Sequence, residues 1–186
     1  MKAAIVVIDM LNDFFVKEPL KTQKPKLVLN INQLTKAARK RKIPIIWVCQ
    51  EYKLDGSDIP LHDRKTGRRI TIKGTNGAQL IDELDQQNQD IIVRKNRYSA
   101  FFNTNLTQIL KSKQINTLIV TGINTHACVR MTAMDAFQRD IEVIIAQDCV
   151  ASWDNEHHNI TLKYLEMGTK MQVLSNKQLI NLIATN

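Results

Sequence analysis

Three side chains able to carry out acid–base or covalent chemistry lie just beyond three apolar runs of this sequence. Asp9 follows the first run, Lys95 the third and Cys128 the fourth. A cysteine thiolate can attack a carbonyl carbon, a carboxylate can carry the thiol proton to a leaving group, and a lysine ammonium can hold the two anions together. Each residue alone also has a structural explanation, as a buried thiol, a turn cap or a surface cation. Their convergence in the fold would predict acyl transfer by a cysteine nucleophile.

The residues before Cys128 place it at the start of a helix. The buried run at 118–120 is broken by Gly122, and Thr125 is the predicted N-cap, which puts Cys128 in the first helical turn. Unpaired amides and the positive end of the helix dipole favour a thiolate there and can hold an oxyanion. Packing of a small apolar side chain explains this segment equally well. His126 is expected to point away from the thiol.

Short β-branched runs alternate with helical patterns along the sequence, which is typical of an α/β protein with a mainly parallel sheet. The carboxyl ends of parallel strands meet at one edge of a sheet, so Asp9, Lys95 and Cys128 can converge there. The predicted strands are 3–8, 45–49, 90–94, 117–121, 142–146 and 171–174. The predicted helices lie near 26–41, 78–84, 104–113, 128–139, 156–167 and 177–184.

One connection, residues 51–76, is long, polar and rich in Gly, Pro and charged residues. It follows the carboxyl end of the second strand, where ligands of open α/β sheets bind. Long connections inside compact domains are usually functional, so we expect a binding loop or a lid here.

The composition predicts an ordinary globular protein. The chain has 186 residues, of which 44% are hydrophobic, and we expect one domain over residues 1–186. The apolar run at its start is too short for a signal peptide or a membrane span. Cys49, Cys128 and Cys149 lack C-x-x-C spacing, which indicates neither a disulfide framework nor a cysteine-rich zinc site. We therefore expect a cytoplasmic protein without membrane contact.

The formal net charge is +8, and basic residues cluster within 36–42 and 64–69. Nucleic acid or an anionic substrate is a conceivable partner for such a surface. However, the first cluster ends an amphipathic helix, where cations complement the helix dipole, and no aromatic residues interleave it. A solvated basic face is the better explanation, so nucleic acid is not expected as a partner. A basic binding or assembly module stays the non-enzymatic alternative.

Three blocks of the sequence, DMLNDF at 9–14, RKNRYSAF at 94–101 and GINTHACVRMTAMDA at 122–136, resemble the signature blocks of the isochorismatase-like cysteine hydrolases. The resemblance implies a three-layer, doubly wound sheet of six parallel strands in the order 3-2-1-4-5-6, with helices on both faces. It also implies a triad of Asp9 as base, Lys95 as cation and Cys128 as nucleophile. A cis peptide at 123–124 would aim the amides of Asn124 and Cys128 at the developing oxyanion. The family resemblance further implies a homo-oligomer, a dimer or a tetramer.

The residues after the second strand favour one branch of the family over another. Nicotinamidases carry a metal-binding Asp-x-His element there, whereas this chain has QEYK at 50–53 and only His62 in the long connection. We therefore expect no metal and no cofactor. The stretch RYSAFFNT at 97–104 is similar to the branch that hydrolyses ureido and carbamoyl compounds, such as ureidoacrylate amidohydrolases. Asn12, Phe15 and Tyr98 are the candidate substrate contacts.

These observations predict a cysteine hydrolase that cleaves a C–N bond of a small amide or ureido/carbamoyl compound. The reaction would pass through a thioester and release ammonia or an amine. Two other enzymatic activities stay open, a nicotinamidase with an altered metal site and an isochorismatase-type vinyl ether hydrolase. The second is disfavoured, because the resemblance implies that isochorismatases proper lack the cysteine nucleophile.

Overall fold

The structure is a computed structural model that describes residues 2–185. Its six strands are β1 (Ala3–Ile8), β2 (Ile45–Gln50), β3 (Ile91–Lys95), β4 (Thr117–Ile123), β5 (Glu142–Ala151) and β6 (Gln172–Leu174). All neighbouring strands pair in parallel, in the order β3-β2-β1-β4-β5-β6. The predicted sheet and its strand order are therefore confirmed, and β1 lies at the centre of the sheet.

Helices lie on both faces of the sheet, as predicted. Alternate residues of β1 are buried in two different core layers, because side chains of a strand point to opposite faces. Ile5 lies in the layer that contains Leu34, whereas Val6 lies in the layer that contains Leu106. Burial on both faces explains why the strands read as continuous apolar runs. The helices are α1 (Leu20–Lys40), α2 (Leu61–Thr66), α3 (Leu106–Ser112), α4 (Arg130–Phe137), α5 (Asn155–Lys163) and α6 (Asn176–Thr185).

The helix predicted near residues 78–84 is wrong. Only a short 3-10 turn, Asn76–Ala78, forms at the start of this segment. The backbone beyond it pairs with the chain that follows β1, since the amide of Ile81 donates to the carbonyl of Met10 at 3.1 Å. Backbone groups bonded to a distant segment are not available for a helix.

Helix α2, inside the 51–76 connection, was not predicted. It contains no buried residue, so no apolar periodicity marks it in the sequence. It ends at Gly67, which adopts a left-handed conformation with φ +71°, and the Gly67 amide donates to the carbonyl of Arg64 at 3.3 Å. Glycine is the usual residue at such a helix C-terminus.

Part of the basic cluster within 36–42 is neutralised by acidic side chains. Arg39, in the basic cluster that ends α1, forms ion pairs with Asp85 at 2.5 Å and with Asp90 at 2.6 Å.

Over residues 2–185, none of the helices combines the length and the apolar character needed to cross a bilayer. Met1 and Asn186 lie outside the described residues, so the extent of the predicted domain stays a prediction.

Candidate active site

The three predicted catalytic side chains meet at the carboxyl edge of the sheet. Asp9 directly follows β1, Lys95 is the last residue of β3, and Cys128 lies in the helical turn Thr125–Val129 between β4 and α4. The Nζ atom of Lys95 is 2.6 Å from Asp9 Oδ2 and 3.5 Å from Cys128 Sγ. A single ammonium group therefore contacts both the candidate base and the candidate nucleophile. Their catalytic roles stay predictions.

Lys95 is held by all three of its ammonium protons. Besides Asp9 and Cys128, it donates to the carbonyl of Arg97 at 3.1 Å, and its side chain is 0% exposed. Burial alone would lower the pKa of Lys95, but the charges of Asp9 and Cys128 and the hydrogen bonds to them outweigh burial and raise it. Lys95 is thus a fixed cation at any physiological pH.

Asp9 is fixed through its backbone as well as its side chain. It has φ +53°, a left-handed conformation that aspartate tolerates better than most residues. Its amide donates to the carbonyl of Val48 at 2.8 Å, and Oδ1 accepts a hydrogen bond from the amide of Gln50 at 2.8 Å. With Oδ2 bonded to Lys95, both carboxylate oxygens are held in place. Strained conformations of this kind often occur at functional sites.

Cys128 is 5% exposed and belongs to the core layer between the sheet and α4. Burial raises the pKa of its thiol to about 12, an effect that Lys95 opposes and Asp9 reinforces. Because Lys95 and Asp9 form a nearly neutral pair, they do little to offset the burial. The structure therefore favours a neutral thiol at rest, contrary to the thiolate expected from the helix N-terminus. A neutral thiol needs a base, and Asp9 is beside it.

Gly122 allows β4 to approach β1 closely at this edge. It has φ +100°, and a Cβ at this position would lie 2.0 Å from the carbonyl oxygen of Ile8. Only glycine fits both the conformation and the space. The glycine does not end the strand as predicted, since it pairs with Ile8 and β4 continues to Ile123.

The turn after β4 carries the candidate oxyanion site. The peptide bond between Ile123 and Asn124 is cis, as predicted. The carbonyl of Asn124 accepts hydrogen bonds from the amides of Ala127 at 3.0 Å and Val129 at 3.2 Å. The amide of Asn124 itself has no acceptor within residues 2–185. The role of the Asn124 and Cys128 amides in holding an oxyanion stays a prediction.

The prediction that Thr125 is the N-cap is wrong. Asn124 occupies the cap position with an extended backbone, and no side chain caps the turn. The hydroxyl of Thr125 donates instead to the carbonyl of Ala151 at 3.0 Å, and it also lies 2.8 Å from Nδ1 of His158. The end of β5, which extends past its predicted limit at 146, thus supports the cysteine turn from the side.

His126 lies close to Cys128 in sequence but has other contacts. Its Nδ1 atom is 2.6 Å from the hydroxyl of Ser152, and its ring contacts the edge of Trp153 with 5.3 Å between ring centroids. Burial and the neighbouring His157 lower the pKa of His126. The structure thus pairs the thiol with Asp9 and Lys95, and directs the His126 ring to Ser152.

The 51–76 connection is tied to the strand ends that carry the site. The amide of Tyr52 donates to the carbonyl of Thr71 at 2.9 Å, and Nε2 of Gln50 donates to the Thr71 hydroxyl at 3.0 Å. The amide of Thr71 donates in turn to Asp13 Oδ2, just beyond Asp9, at 2.6 Å. The connection is therefore closed against β1 and β2, and its opening as a lid stays a prediction.

The candidate substrate contacts occupy three different environments. Asn12 donates through Nδ2 to the carbonyl of Asn76 at 3.0 Å. Phe15 is buried in the core layer against α1, on the other face of the sheet from Cys128. Tyr98 is 51% exposed and lines a groove of about 580 Å³, of which Cys128 is not a lining residue. The structure does not bring these three residues together, and their contact with substrate stays a prediction.

Two residues near the site, Gln50 and Tyr52, did not stand out in the sequence. The Gln50 amide orients Asp9, and Tyr52 is buried on the side of the site opposite β4. Strand alternation from Val48 onward would have placed both on the face of Lys95. The apolar run that marks the strand in the sequence ends at 49, so alternation within that run does not reach them.

No group of three or more His, Cys, Asp or Glu side chains in the described chain is arranged to hold a metal ion. His62 is exposed on α2. The residues present therefore do not fit a nicotinamidase-type metal site.

Known proteins resemble this chain over most of its length. The family model described as the isochorismatase domain matches residues 3–176. The chain belongs to the isochorismatase family. One relative in Arabidopsis thaliana, named "Probable inactive nicotinamidase", is 36% identical over 181 residues, which are 92% of this chain and 92% of the relative. The ureidoacrylate amidohydrolase of Klebsiella pneumoniae is 33% identical over 171 residues, which are 79% of this chain and 72% of that enzyme.

Solved structures show the same architecture as this isochorismatase-family protein. A cysteine hydrolase from Pseudomonas syringae pv. phaseolicola superimposes with a TM-score of 0.90 at 26% identity. The match covers 99% of this chain and 93% of the other. The α/β fold predicted from the three sequence blocks is thereby confirmed.

Proposed function

We propose that this protein is a cysteine hydrolase that cleaves a C–N bond of a small amide or ureido/carbamoyl compound without a metal. The observation that carries the proposal is the buried Lys95 ammonium, which bonds to Asp9 at 2.6 Å and to Cys128 at 3.5 Å. A cation placed between a carboxylate and a thiol can hold either negative charge as a proton moves between them.

The first half of the reaction acylates the enzyme. Asp9 takes the thiol proton as Sγ of Cys128 bonds to the substrate carbonyl carbon, so thiolate forms only as it attacks. The carbonyl oxygen becomes an oxyanion, and the amides of Asn124 and Cys128 donate to it. Asp9 then delivers the proton to the substrate nitrogen, the C–N bond breaks, and ammonia or an amine leaves. A thioester on Cys128 remains.

The second half restores the enzyme. Asp9 takes a proton from water as the water oxygen bonds to the thioester carbonyl carbon, and the C–S bond then breaks. The proton on Asp9 returns to Sγ, and the acid product leaves. Lys95 keeps its charge throughout and stabilises Asp9 and the thiolate in turn. In this scheme Asp9 carries every proton, Cys128 carries the acyl group, and water is the second reactant.

The relatives support the substrate class. The Klebsiella relative is an amidohydrolase of ureidoacrylate, and ureidoacrylate contains a carbamoyl nitrogen that can leave as ammonia. This chain has Gln50 at the end of β2 and Glu51 and Tyr52 directly after it, where nicotinamidases are expected to carry metal ligands. We therefore propose a ureide or simple amide in preference to nicotinamide.

A panel of amides and ureides tests the proposal. Purified protein should release ammonia or an amine from at least one member, and turnover should survive a chelator. Mass spectrometry should trap an acyl group on Cys128. Cys128→Ala should abolish turnover, whereas Cys149→Ala, a buried thiol bonded to Asn176, should retain it. Full turnover by Cys128→Ala would refute the mechanism.

Assembly and location belong to the same proposal. We propose a homo-oligomer, a dimer or a tetramer, in the cytoplasm, with a small molecule as its partner. Sedimentation equilibrium of the purified protein tests the first part, and a mass equal to one chain at micromolar concentration would contradict it.

A further inference from the structure

A buried tyrosine beside the site has no part in the mechanism above. Tyr52 is 2% exposed, and its ring packs against Ile59 and Ile72. Its amide donates to the carbonyl of Thr71 at 2.9 Å, and its carbonyl accepts from the amide of Lys73 at 2.8 Å. Both the end of β2 and the returning connection therefore fix its position.

Strand alternation places the Tyr52 side chain on the catalytic face of the sheet. Val48 lies in the same core layer as Cys128. The chain stays extended through Tyr52, which forms a parallel bridge with Ile72, so the side chain of Tyr52 points to the same face as that of Val48. The charge of Asp63 on α2 and, next, that of Lys95 act on the tyrosine hydroxyl, and the second agrees with this placement.

The Tyr52 hydroxyl has no hydrogen-bond partner within residues 2–185. Buried tyrosine hydroxyls usually have one. The hydroxyl is not sealed off, because Nε of Arg39 is the only side-chain polar atom of the described chain that is both fully enclosed and unpartnered. Some of the hydroxyl surface therefore remains accessible to solvent. Burial raises the pKa of Tyr52, so the neutral hydroxyl can both donate and accept.

The strand order sets where this hydroxyl meets a substrate. The candidate oxyanion amides lie beyond β4, Asp9 lies beyond the neighbouring β1, and Tyr52 lies beyond β2, the next strand along. A substrate with its carbonyl group on Cys128 that extends past Asp9 along this edge would bring the atom next to the scissile carbonyl towards the Tyr52 hydroxyl.

We propose that Tyr52 is a specificity-determining residue, whose hydroxyl selects ureides over simple carboxamides. A ureide places an N–H beside the scissile carbonyl, and this group can donate to the tyrosine oxygen. A carboxamide places a CH₂ there, which leaves the buried hydroxyl unpaired, and such mismatches discriminate strongly. The inference rests on the proposed function for the location of the substrate.

N-carbamoylglycine and succinamate are matched probes. Succinamate replaces the N–H beside the carbonyl by CH₂ and keeps the terminal amide and the carboxylate. Calorimetry measures the binding of each probe to Cys128→Ala protein, with and without Tyr52→Phe. Tyr164→Phe is the control, because Tyr164 is partly exposed and its ring faces Arg130.

Tyr52→Phe should weaken the binding of N-carbamoylglycine roughly ten- to a hundredfold and change that of succinamate by less than about threefold. Tyr164→Phe should change neither. Equal weakening of both probes, no change in either, or no preference for N-carbamoylglycine in the parent protein would overturn the proposal.

Turnover by protein that retains Cys128 separates the two proposals. A Tyr52-dependent binding preference without turnover or an acyl-Cys128 adduct would refute the proposed function and uphold the role of Tyr52. Turnover together with a binding preference that Tyr52→Phe leaves unchanged would refute the role of Tyr52 and uphold the proposed function.

Discussion

Replacing Asp9 by asparagine should abolish turnover and yet make Cys128 more reactive towards alkylation. In the native site Lys95 bonds to both residues, so the Asp9 carboxylate competes with the thiol for the ammonium. Asparagine keeps the shape of the side chain and tolerates the positive φ at position 9. It removes the negative charge and with it the base. The Cys128 thiol, which lies beside the buried Lys95 ammonium, can then ionise and replace the carboxylate as the anionic partner of Lys95.

The size of the effect follows from the geometry of the site. Burial, reinforced by the charge of Asp9, raises the pKa of Cys128 from 9.0 to about 12. At pH 8 only about one thiol in ten thousand is then a thiolate, against about one in ten for an unburied thiol. The ammonium lies 3.5 Å from Sγ, which gives an attraction of about 5 kcal/mol at an effective dielectric constant of about 20. If removal of the Asp9 charge lets the Cys128 thiolate recover about a third of this attraction, the thiolate fraction at pH 8 rises at least about tenfold. The alkylation rate rises by the same factor.

The assay is the rate of iodoacetamide modification between pH 7 and 9, followed by mass spectrometry of the peptide that contains Cys128. Cys149 is the internal reference, because it is also buried, burial also raises the pKa of its thiol, and Asp9 does not act on it. Asp13→Asn is the matched control, because its carboxylate accepts from the amide of Thr71 and does not bond to Lys95. An unchanged or slower rate in Asp9→Asn would refute the competition for the ammonium.

Three further predictions concern stability. Lys95→Met should lower the free energy of unfolding by about 3–5 kcal/mol, because it leaves the partner carboxylate buried without its cation. Urea titration measures this, and a loss below about 1 kcal/mol would contradict it. Gly122→Ala should cost more than Gly67→Ala in the same assay, by at least about 1 kcal/mol. Both glycines have positive φ, but only at Gly122 would a Cβ meet backbone, so equal losses would count against this reasoning. Finally, the free energy of unfolding should fall as pH rises above 9. Unfolded thiols lose their protons near 9.0, whereas native Cys49 and Cys128 keep theirs to about 12, so the folded state binds more protons in this window. Urea midpoints should therefore be lower at pH 10 than at pH 8, with a smaller fall in Cys49→Ala, and a rise would be incompatible with neutral buried thiols.

The elements that could be predicted are those whose sequence pattern is local. Every residue of Ala3–Ile8 is buried, so the strand appears as an unbroken apolar run. Helix α2 has no buried residue and therefore no such pattern. The segment at 78–84 has a helical pattern, but its backbone bonds to the chain after β1. Its conformation depends on a partner that is distant in sequence, which local periodicity does not encode.

The residues of the candidate site also divide into those that the sequence predicts and those that it does not. Asp9, Lys95 and Cys128 could be placed together because each follows or ends a strand of a parallel sheet. Gln50 and Tyr52 could not, because the extension of β2 beyond 49 depends on its pairing with β3 and with the returning connection. Where distant partners determine how far a strand extends, the local sequence does not show which face its last side chains point to.

The protonation state of Cys128 is decided by the relative size of two effects. A helix N-terminus stabilises a nearby anion by about 1 kcal/mol, which is why the local sequence favoured a thiolate. A rise in pKa from 9.0 to about 12 corresponds to about 4 kcal/mol in the opposite direction, and burial is its main cause. Burial wins, and it comes from a core layer assembled from five strands and several helices, which no window around Cys128 contains. The base is therefore as necessary as the nucleophile, because in this fold Cys128 becomes a thiolate only when Asp9 accepts its proton.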